Sequence, residues 1–170
     1  KNTAEDDESI ILSLKEIDDN TILAGCLDGL FLLQIKDENN YSFNYVGFLN
    51  AAERNRYDRI YKILHYKDSK YFLATRGGVL LFDYATEGHK KFFHKPKEVN
   101  KSILPGACRL AFKDKNGKFW FATSSGLSYL KEADNGELLI VPYKNNKKLT
   151  NNHKRKRRNS FVNYKNIPAL

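Results

Sequence analysis

The sequence between residues 114 and 127 is D-K-N-G-K-F-W-F-A-T-S-S-G-L, and it combines turn residues with strand-forming residues. Its opening Asp-Lys-Asn-Gly predicts a tight turn, because Asn and Gly tolerate the positive φ that such turns require. The aromatic and β-branched residues from 118 to 123 favour a strand. Gly126 and the apolar residues after it predict a second turn and a second strand. The stretch is typical of two antiparallel strands joined by a tight turn.

Two earlier stretches repeat this pattern, and they are T-I-L-A-G-C-L-D-G-L-F-L-L from residue 21 and Y-F-L-A-T-R-G-G-V-L-L-F from residue 71. In each unit an apolar strand ends at an alanine, and these alanines are Ala24, Ala74 and Ala122. A Gly followed by an aliphatic residue opens the next strand, at Gly29, Gly78 and Gly126. The alanines recur with a period of about 50 residues, which lies in the range of propeller blades and exceeds that of ordinary helical solenoids.

Each unit contains four strand-like segments separated by turn residues. The predicted strands are 10–17, 21–25, 29–35, 41–48, 59–66, 70–75, 79–84, 90–94, 107–113, 118–123, 126–131 and 138–143. Residues 51–61 are compatible with one or two helical turns. We predict an all-β chain that forms a partial β-propeller, with about three blades of four antiparallel strands each. The blades cover approximately 10–48, 59–94 and 107–143, between a flexible segment at 1–9 and a basic, disordered tail at 144–170.

Three blades leave two apolar blade faces uncovered, whereas closed propellers have about 4–8 blades. The chain also begins at Lys1 and contains no Met. We therefore expect a piece of a larger protein. Its partners would be the remaining blades of that protein, or a second copy that associates through the open faces.

The net charge of +9 belongs to the tail, because the segment 144–170 holds nine Lys or Arg and no acidic residue. The rest of the chain, 1–143, holds 20 basic and 20 acidic side chains. The basic run at 154–158 is compatible with a targeting or nucleic-acid segment, a solvated terminus, or a truncation after the third blade. No specific nucleic-acid partner is expected for the body. No apolar run is long enough to span a membrane.

No catalytic or phosphate-binding motif occurs, so we expect no enzyme activity and no cofactor. The four histidines lack the spacing of metal ligands, and the acidic run at 5–8 lacks the pattern of a calcium loop, so no metal site is expected. Cys26 and Cys108 are far apart in the chain and are interpreted as small buried residues, since free cysteine is among the most buried residue types.

The third unit resembles the two-component-regulator propeller repeat, which has the form D-x-x-G-x-[LF]-W-[IF]-[GA]-T-x-x-G-[GL]. The second unit keeps the Ala-Thr and Gly positions and places Phe72 at the Trp position. The first unit is degenerate, with Ile22 assigned to the Trp position and Gly25 to the Thr position. The resemblance covers roughly residues 10–153. The repeat positions are interpreted as packing residues, and they are Ala24, Gly29, Phe72, Ala74, Thr75, Gly78, Trp120, Ala122, Thr123 and Gly126.

This repeat occurs in the extracytoplasmic sensor portions of hybrid two-component histidine kinases of Bacteroides-like bacteria. The resemblance implies a non-catalytic, periplasmic or extracytoplasmic sensor fragment of a signal transduction protein, possessing no kinase motif of its own and sensing glycan-derived ligands. The alternative is a propeller that serves as a protein–protein interaction scaffold, with the basic tail as a targeting element; a cytoplasmic location stays open. In a propeller, the turns between second and third strands share one face with the loops between blades. The ligand-binding residues predicted there are Asp28, Arg54, Arg56, Tyr57, Arg76, Asn100, Lys101, Ser124 and Ser125.

Overall fold

The computed structural model describes residues 10–143, so the segments predicted as a flexible N-terminus and a disordered tail lie outside the described residues. The elements are β1 (Ile11–Asp18), β2 (Thr21–Cys26), β3 (Leu30–Asp37), β4 (Asn40–Tyr45), α1 (Ala51–Tyr57), β5 (Ile60–Lys67), β6 (Lys70–Thr75), β7 (Gly78–Asp83), β8 (Gly88–Phe92), β9 (Cys108–Lys113), β10 (Phe119–Thr123), β11 (Gly126–Glu132) and β12 (Leu138–Pro142). They confirm the prediction of an all-β partial propeller.

The strands form three separate four-stranded antiparallel sheets, each made of four consecutive strands. The first sheet is β1–β4, the second is β5–β8 and the third is β9–β12. The first strand of each following sheet lies against the first two strands of the sheet before it. The sheets therefore stack in chain order, with the second between the other two.

The helix α1 connects the first sheet to the second, and a capping box starts it. Asn50 Oδ1 accepts a hydrogen bond from the Glu53 amide at 3.0 Å, and Glu53 Oε2 accepts one from the Asn50 amide at 3.2 Å. The Glu53 carboxylate also lies 2.5 Å from Lys91 Nζ in β8. The helix is thus attached to the outermost strand of the second sheet.

The central hairpins of the three sheets show which residues are equivalent. Their closing pairs are Gly25–Leu30, Ala74–Val79 and Ala122–Leu127. The expected equivalence of Ala24 with Ala74 and Ala122 is therefore wrong by one position. Gly25 holds the alanine position, Cys26 holds the Thr position instead of Gly25, and Leu23 holds the Trp position instead of Ile22.

A close contact with the next sheet explains why the alanine position of the first unit is a glycine. A Cβ on Gly25 would lie 2.7 Å from Ile60 Cγ2 and 2.9 Å from the Ile60 carbonyl oxygen. Real Cβ atoms do not approach other atoms so closely, because packed interiors leave no such overlap. Ala24 points to the opposite face of the sheet, since successive strand residues alternate between faces.

The Thr of the repeat stabilises the turn that follows it. Thr75 Oγ1 accepts a hydrogen bond from the Gly77 amide at 3.2 Å and donates one to the Gly78 carbonyl at 3.0 Å. Thr123 makes the matching contacts with the Ser125 amide and the Gly126 carbonyl. The hydroxyl thus satisfies backbone groups that a two-residue turn leaves without ladder partners.

Two hydrophobic clusters hold the three sheets together. Between the first and second sheets, Leu23 and Leu30 pack against Ile63, Leu73 and Leu80. Between the second and third sheets, a cluster around the buried side chain of Phe72 contains Ala74, Val79, Leu81, Phe92, Ala111, Phe119, Phe121 and Ile140. The Phe72 ring lies 5.1 Å from the Phe121 ring and 5.5 Å from the Phe119 ring. These clusters are the two seams of the stack.

Trp120, interpreted from the sequence as a packing residue of the repeat, lies on the face of the third sheet that points away from the second. It pairs across the sheet with Phe112 and Tyr129, and its ring packs on both of theirs. Its indole Nε1 donates a hydrogen bond to Asp114 Oδ2 at 2.8 Å. Asp114 Oδ1 accepts from the amides of Asn116 and Lys118. The Asp and the Trp of the repeat are therefore joined directly.

This contact predicts a specific acid sensitivity. The hydrogen bond from Trp120, followed by that from the Lys118 amide, lowers the pKa of Asp114 below its ordinary value. A lowered folded-state pKa stabilises the protein above the ordinary aspartate pKa, and this contribution is lost as the pH falls through the lowered value. We expect the melting temperature of Trp120→Phe to fall less between pH 6 and pH 3 than that of the wild type. An equal fall in thermal unfolding experiments would contradict the role of the indole.

Candidate functional site

The turns between second and third strands and the connections between sheets lie at one end of the stack, because the strands of each sheet alternate in direction. This end carries Asp28 on the first sheet, Arg76 on the second, and Ser124 and Ser125 on the third, all exposed. The sequence prediction that these turns share one face agrees with this topology. The candidate site is a cavity at this end of the stack.

A cavity of about 310 Å³ opens here, where α1, the β6–β7 turn and the β8–β9 loop meet. Glycines permit the close approach of these three segments. A Cβ on Gly77 would lie 2.6 Å from Arg56 Cγ and 2.7 Å from Tyr57 Cε1. Gly106 has φ +99°, and a Cβ there would collide with the hydroxyl of Ser124. The lining residues are Asn55, Arg56, Arg76, Gly77, Gly78, His94, Ile103, Gly106 and Ala107.

Arg76 is held in place by two contacts. Its Nη2 lies 3.1 Å from Asp58 Oδ1, and the same nitrogen donates a hydrogen bond to the Asn55 carbonyl. Within the described residues both contacts use Nη2, so the donors on Nε and Nη1 are left for a ligand. An ion-paired guanidinium at a cavity wall is oriented before a ligand arrives, which reduces the entropy lost on binding.

The guanidinium of Arg56 lies over two aromatic rings. Its Cζ is 5.4 Å from the centre of the Phe93 ring and 5.7 Å from that of Tyr57. Such cation–π contacts restrain an exposed arginine without using its hydrogen-bond donors. Two positive groups from different elements, Arg56 and Arg76, thus line one cavity.

His94 also lines the cavity, although the spacing of the histidines in the sequence did not indicate a site. Its Nδ1 lies 3.1 Å from the Ile103 carbonyl oxygen. Because a carbonyl can only accept, Nδ1 is the protonated nitrogen, and Nε2 of the neutral ring is an acceptor. His94 stands at the start of the long connection between β8 and β9. That position is the sequence signal that could have identified it, because a connection between blades lies at the same end of the stack as the candidate site.

The structure separates four of the predicted ligand residues from this cavity. Tyr57 is 3% exposed and packs in the seam between the first two sheets, so its side chain serves packing. Arg54 lies with its Cζ 4.8 Å from the centre of the Tyr45 ring, on the first sheet's side of α1. Asn100 and Lys101 line a different and wider cavity of about 990 Å³ beside the third sheet.

The cavity presents hydrogen-bonding groups of both polarities. It offers guanidinium donors and one imidazole acceptor, which suit hydroxyl or carboxylate oxygens of a ligand. Residues 10–143 contain no group of His, Cys, Asp or Glu placed to hold a metal ion. Burial raises the pKa of the Cys108 thiol to about 12, so the thiol is protonated and unreactive at neutral pH. Cys26 is likewise buried.

Comparison with known proteins identifies the fold through solved structures. No protein-family model and no curated protein matches the chain. The extracellular domain of a B. thetaiotaomicron protein assigned as a hybrid two-component system aligns with a TM-score of 0.57 and 15% identity, over 79% of this chain. The extracellular domain of a B. thetaiotaomicron protein assigned as a one-component system aligns with a TM-score of 0.56 and 11% identity, over 86% of this chain.

The chain spans 18% of the length of each of these two domains. In the part of the chain that the structure describes, no helix has the length and apolarity needed to cross a bilayer. At this level of identity the likeness is one of architecture. The chain therefore shares the fold of a segment of bacterial extracellular domains from two-component and one-component systems.

Proposed function

We propose that this chain is a non-catalytic, ligand-recognising propeller segment of a two-component signal transduction protein, located outside the cytoplasm. The observation that carries the proposal is the coincidence of two independent findings. The repeat at 114–127 resembles the two-component-regulator repeat, and the three-sheet stack aligns with extracellular domains of B. thetaiotaomicron proteins. In this proposal the kinase belongs to another part of the parent protein.

The proposed ligand is an oligosaccharide derived from a glycan, and its site is the cavity lined by Arg56, Arg76 and His94. Sugars present many hydroxyl groups, and hydrogen bonds from charged donors are roughly twice as strong as neutral ones. The restrained arginines and the Nε2 acceptor of His94 supply both hydrogen-bonding polarities. The cavity size of about 310 Å³ suits one or two sugar rings, at the lower end of ligand pockets.

Arg76→Gln should weaken oligosaccharide binding by at least about tenfold, since a hydrogen bond to a charged group contributes about 1.5–3 kcal/mol. Arg56→Gln should have a similar effect. The measurement is isothermal titration of the full chain with a panel of neutral oligosaccharides. Lys115→Gln is the matched control, because Lys115 is an exposed cation in the β9–β10 turn at the opposite end of the stack.

Binding that survives in both arginine variants would place the ligand elsewhere. Binding that disappears equally in Lys115→Gln would indicate nonspecific attraction to positive charge. Affinity for neutral sugars should also change little between low and high salt, because no ion pair with the ligand is involved. If no oligosaccharide of the panel binds, the proposed ligand class is wrong. The fold assignment does not depend on this result.

The second candidate function is a protein–protein interaction scaffold. The observation that favours it is the exposure of large apolar side chains on the two outer faces of the stack, including Leu14 at 55% and Phe112 at 49%. Monomeric proteins rarely expose contiguous apolar patches of this kind without a partner. A partner protein that binds the full chain and is displaced by substitution of these two residues, with no oligosaccharide bound, would favour the scaffold.

A further inference from the structure

The cavity of the proposed site offers a ligand little aromatic surface. Among the residues that the structure describes, no Phe, Tyr or Trp lines it. The rings of Tyr57 and Phe93 are close to this wall, but the guanidinium of Arg56 lies over both of them. Ligand pockets usually hold most of a ligand through apolar and aromatic side chains. Recognition in this cavity therefore depends on hydrogen bonds and charge.

The guanidinium of Arg56 keeps its charge and its hydrogen-bond donors for a ligand. Arg56 is exposed, and its guanidinium makes no ion pair and no hydrogen bond within residues 10–143. A guanidinium presents a planar fork of N–H donors that matches two oxygens of an anionic group. The two rings restrain this fork at the cavity wall, so less entropy is lost when a ligand binds.

Arg76 lies beside Arg56, but its charge is compensated. Its Nη2 donates a hydrogen bond to the carbonyl of Asn55, the residue directly before Arg56. The same nitrogen lies 3.1 Å from Asp58 Oδ1, which also accepts a hydrogen bond from the Arg59 amide at 2.8 Å. The pair of Arg76 and Asp58 is neutral as a whole. Arg56 therefore supplies the excess positive charge of this wall.

No unpaired carboxylate opposes this charge in the described segments that form the cavity. These segments are residues 50–59, the β6–β7 turn and residues 93–107. Their acidic side chains are all in ion pairs, which are Glu53–Lys91, Asp58–Arg76 and Glu98–Lys95. Asp28 lies at the same end of the stack, on the first sheet, and does not line the cavity. The lining residues lie between positions 55 and 107, so the described blades alone form these walls.

We propose that Arg56 is the specificity-determining residue of this cavity, and that it selects oligosaccharides with an acidic group over their neutral counterparts. This inference rests on the proposed function, because it names the class of sugar that the same site prefers. The acidic group is a carboxylate or a sulfate, since both present two anionic oxygens to the fork of the guanidinium. A neutral hydroxyl accepts a hydrogen bond from the same donor without this attraction of opposite charges.

The test is isothermal titration of the full chain with three galactose disaccharides of the same linkage. One is neutral, one has a carboxylate in place of its terminal hydroxymethyl group, and one carries a sulfate ester on that hydroxymethyl group. The wild type should bind at least one acidic disaccharide at least about tenfold more tightly than the neutral one. The disaccharide with this advantage identifies the acidic group. The advantage should decrease as salt is added, because salt screens the charges.

Variants of α1 assign this preference to one side chain. Arg56→Gln should reduce it to about twofold or less, whereas Arg56→Lys should keep part of it, because lysine retains the charge without the planar fork. Arg54→Gln is the matched control. It removes the same charge from the same helix, but the Arg54 guanidinium lies over the Tyr45 ring on the first sheet's side, so the preference should be unchanged.

Each possible result separates this selectivity from the proposed function. Equal affinity of the wild type for all three disaccharides would overturn the selectivity and leave oligosaccharide binding intact. A preference that persists in Arg56→Gln, or one that is lost equally in Arg54→Gln, would overturn the role of Arg56. If none of the three disaccharides binds, the proposed oligosaccharide ligand is itself contradicted. Each preference compares two ligands on one variant, so a change in the folded fraction does not alter it.

Discussion

Phe72→Ala should lower the free energy of unfolding by about 3–5 kcal/mol, the range observed when a buried aromatic ring is removed from a core. Phe72 is fully buried and lies at the centre of the seam between the second and third sheets. Its ring contacts those of Phe119 and Phe121 from the third sheet and that of Tyr66 from its own. Removing the ring therefore leaves a cavity and also removes contacts that hold the second and third sheets together.

The measurement is guanidinium-induced unfolding, with Phe112→Ala as the matched control at the same protein concentration. Phe112 is 49% exposed on the outer face of the third sheet, so removing its ring should cost about 1 kcal/mol or less in the monomer. Equal costs for the two substitutions would contradict the seam. Phe72→Leu keeps the comparison possible if Phe72→Ala does not fold, and it should still cost more than Phe112→Leu.

Gly25→Ala should destabilise the chain by about 1–3 kcal/mol, the usual cost of overpacking a core. This is the opposite of the usual effect, because alanine within a strand is normally more stable than glycine. The new methyl group would lie 2.9 Å from the Ile60 carbonyl oxygen, a backbone atom that cannot move without disturbing β5. Gly47→Ala is the matched control. A Cβ there would lie 3.8 Å from its nearest neighbour in Tyr45, so its effect should stay within about 0.5 kcal/mol.

Combining Gly25→Ala with Ile60→Ala extends this test. Ile60→Ala removes the Cγ2 atom that the new methyl group would contact, so the cost of the double variant should be smaller than the sum of the single costs. Additive costs would mean that these residues do not share a seam. Guanidinium-induced unfolding measures the free energies of unfolding of the two single variants and of the double variant.

The sequence predicted every strand because the turns between them have distinctive chemistry. Asp114 to Gly117 and Asp134 to Gly136 each close a hairpin at the predicted place. Strand ends were less predictable. The strand that was predicted to end at residue 48 ends at Tyr45. The Val46 amide still donates a hydrogen bond to the Leu30 carbonyl, and beyond it the chain turns towards α1.

The register of the first unit was mispredicted because Ala24 was matched by residue identity. Gly29 follows Ala24 by five positions, whereas Gly78 and Gly126 follow Ala74 and Ala122 by four. Counting back from the turn glycine would have selected Gly25. The glycine itself is a consequence of Ile60, a residue in another sheet, so no local pattern around position 25 explains it.

The candidate site was only partly predictable, since it depends on how separate loops fold back. Arg56 and Arg76 were expected at this end of the stack and do line one cavity. Tyr57 was grouped with them through its place in the same loop, yet it occupies the last turn of α1 and faces the seam. Asn100 and Lys101 lie in the long β8–β9 connection, whose path beside β12 the sequence does not indicate.

The stacking of equivalent blades is tested most directly by nuclear Overhauser contacts across the seam between the first two sheets. We expect cross-peaks from the Ile60 γ2 methyl protons to the α protons of Gly25. We also expect them from the Ile63 amide proton to the β protons of Ser13, whose hydroxyl accepts the hydrogen bond of that amide at 3.1 Å. No cross-peak is expected from the Ile60 γ2 methyl group to the Ala24 methyl group, because Ala24 points to the opposite face of its sheet. Cross-peaks from Ile60 to Ala24 in place of Gly25, or none to either residue, would contradict the stacking of the blades in this register.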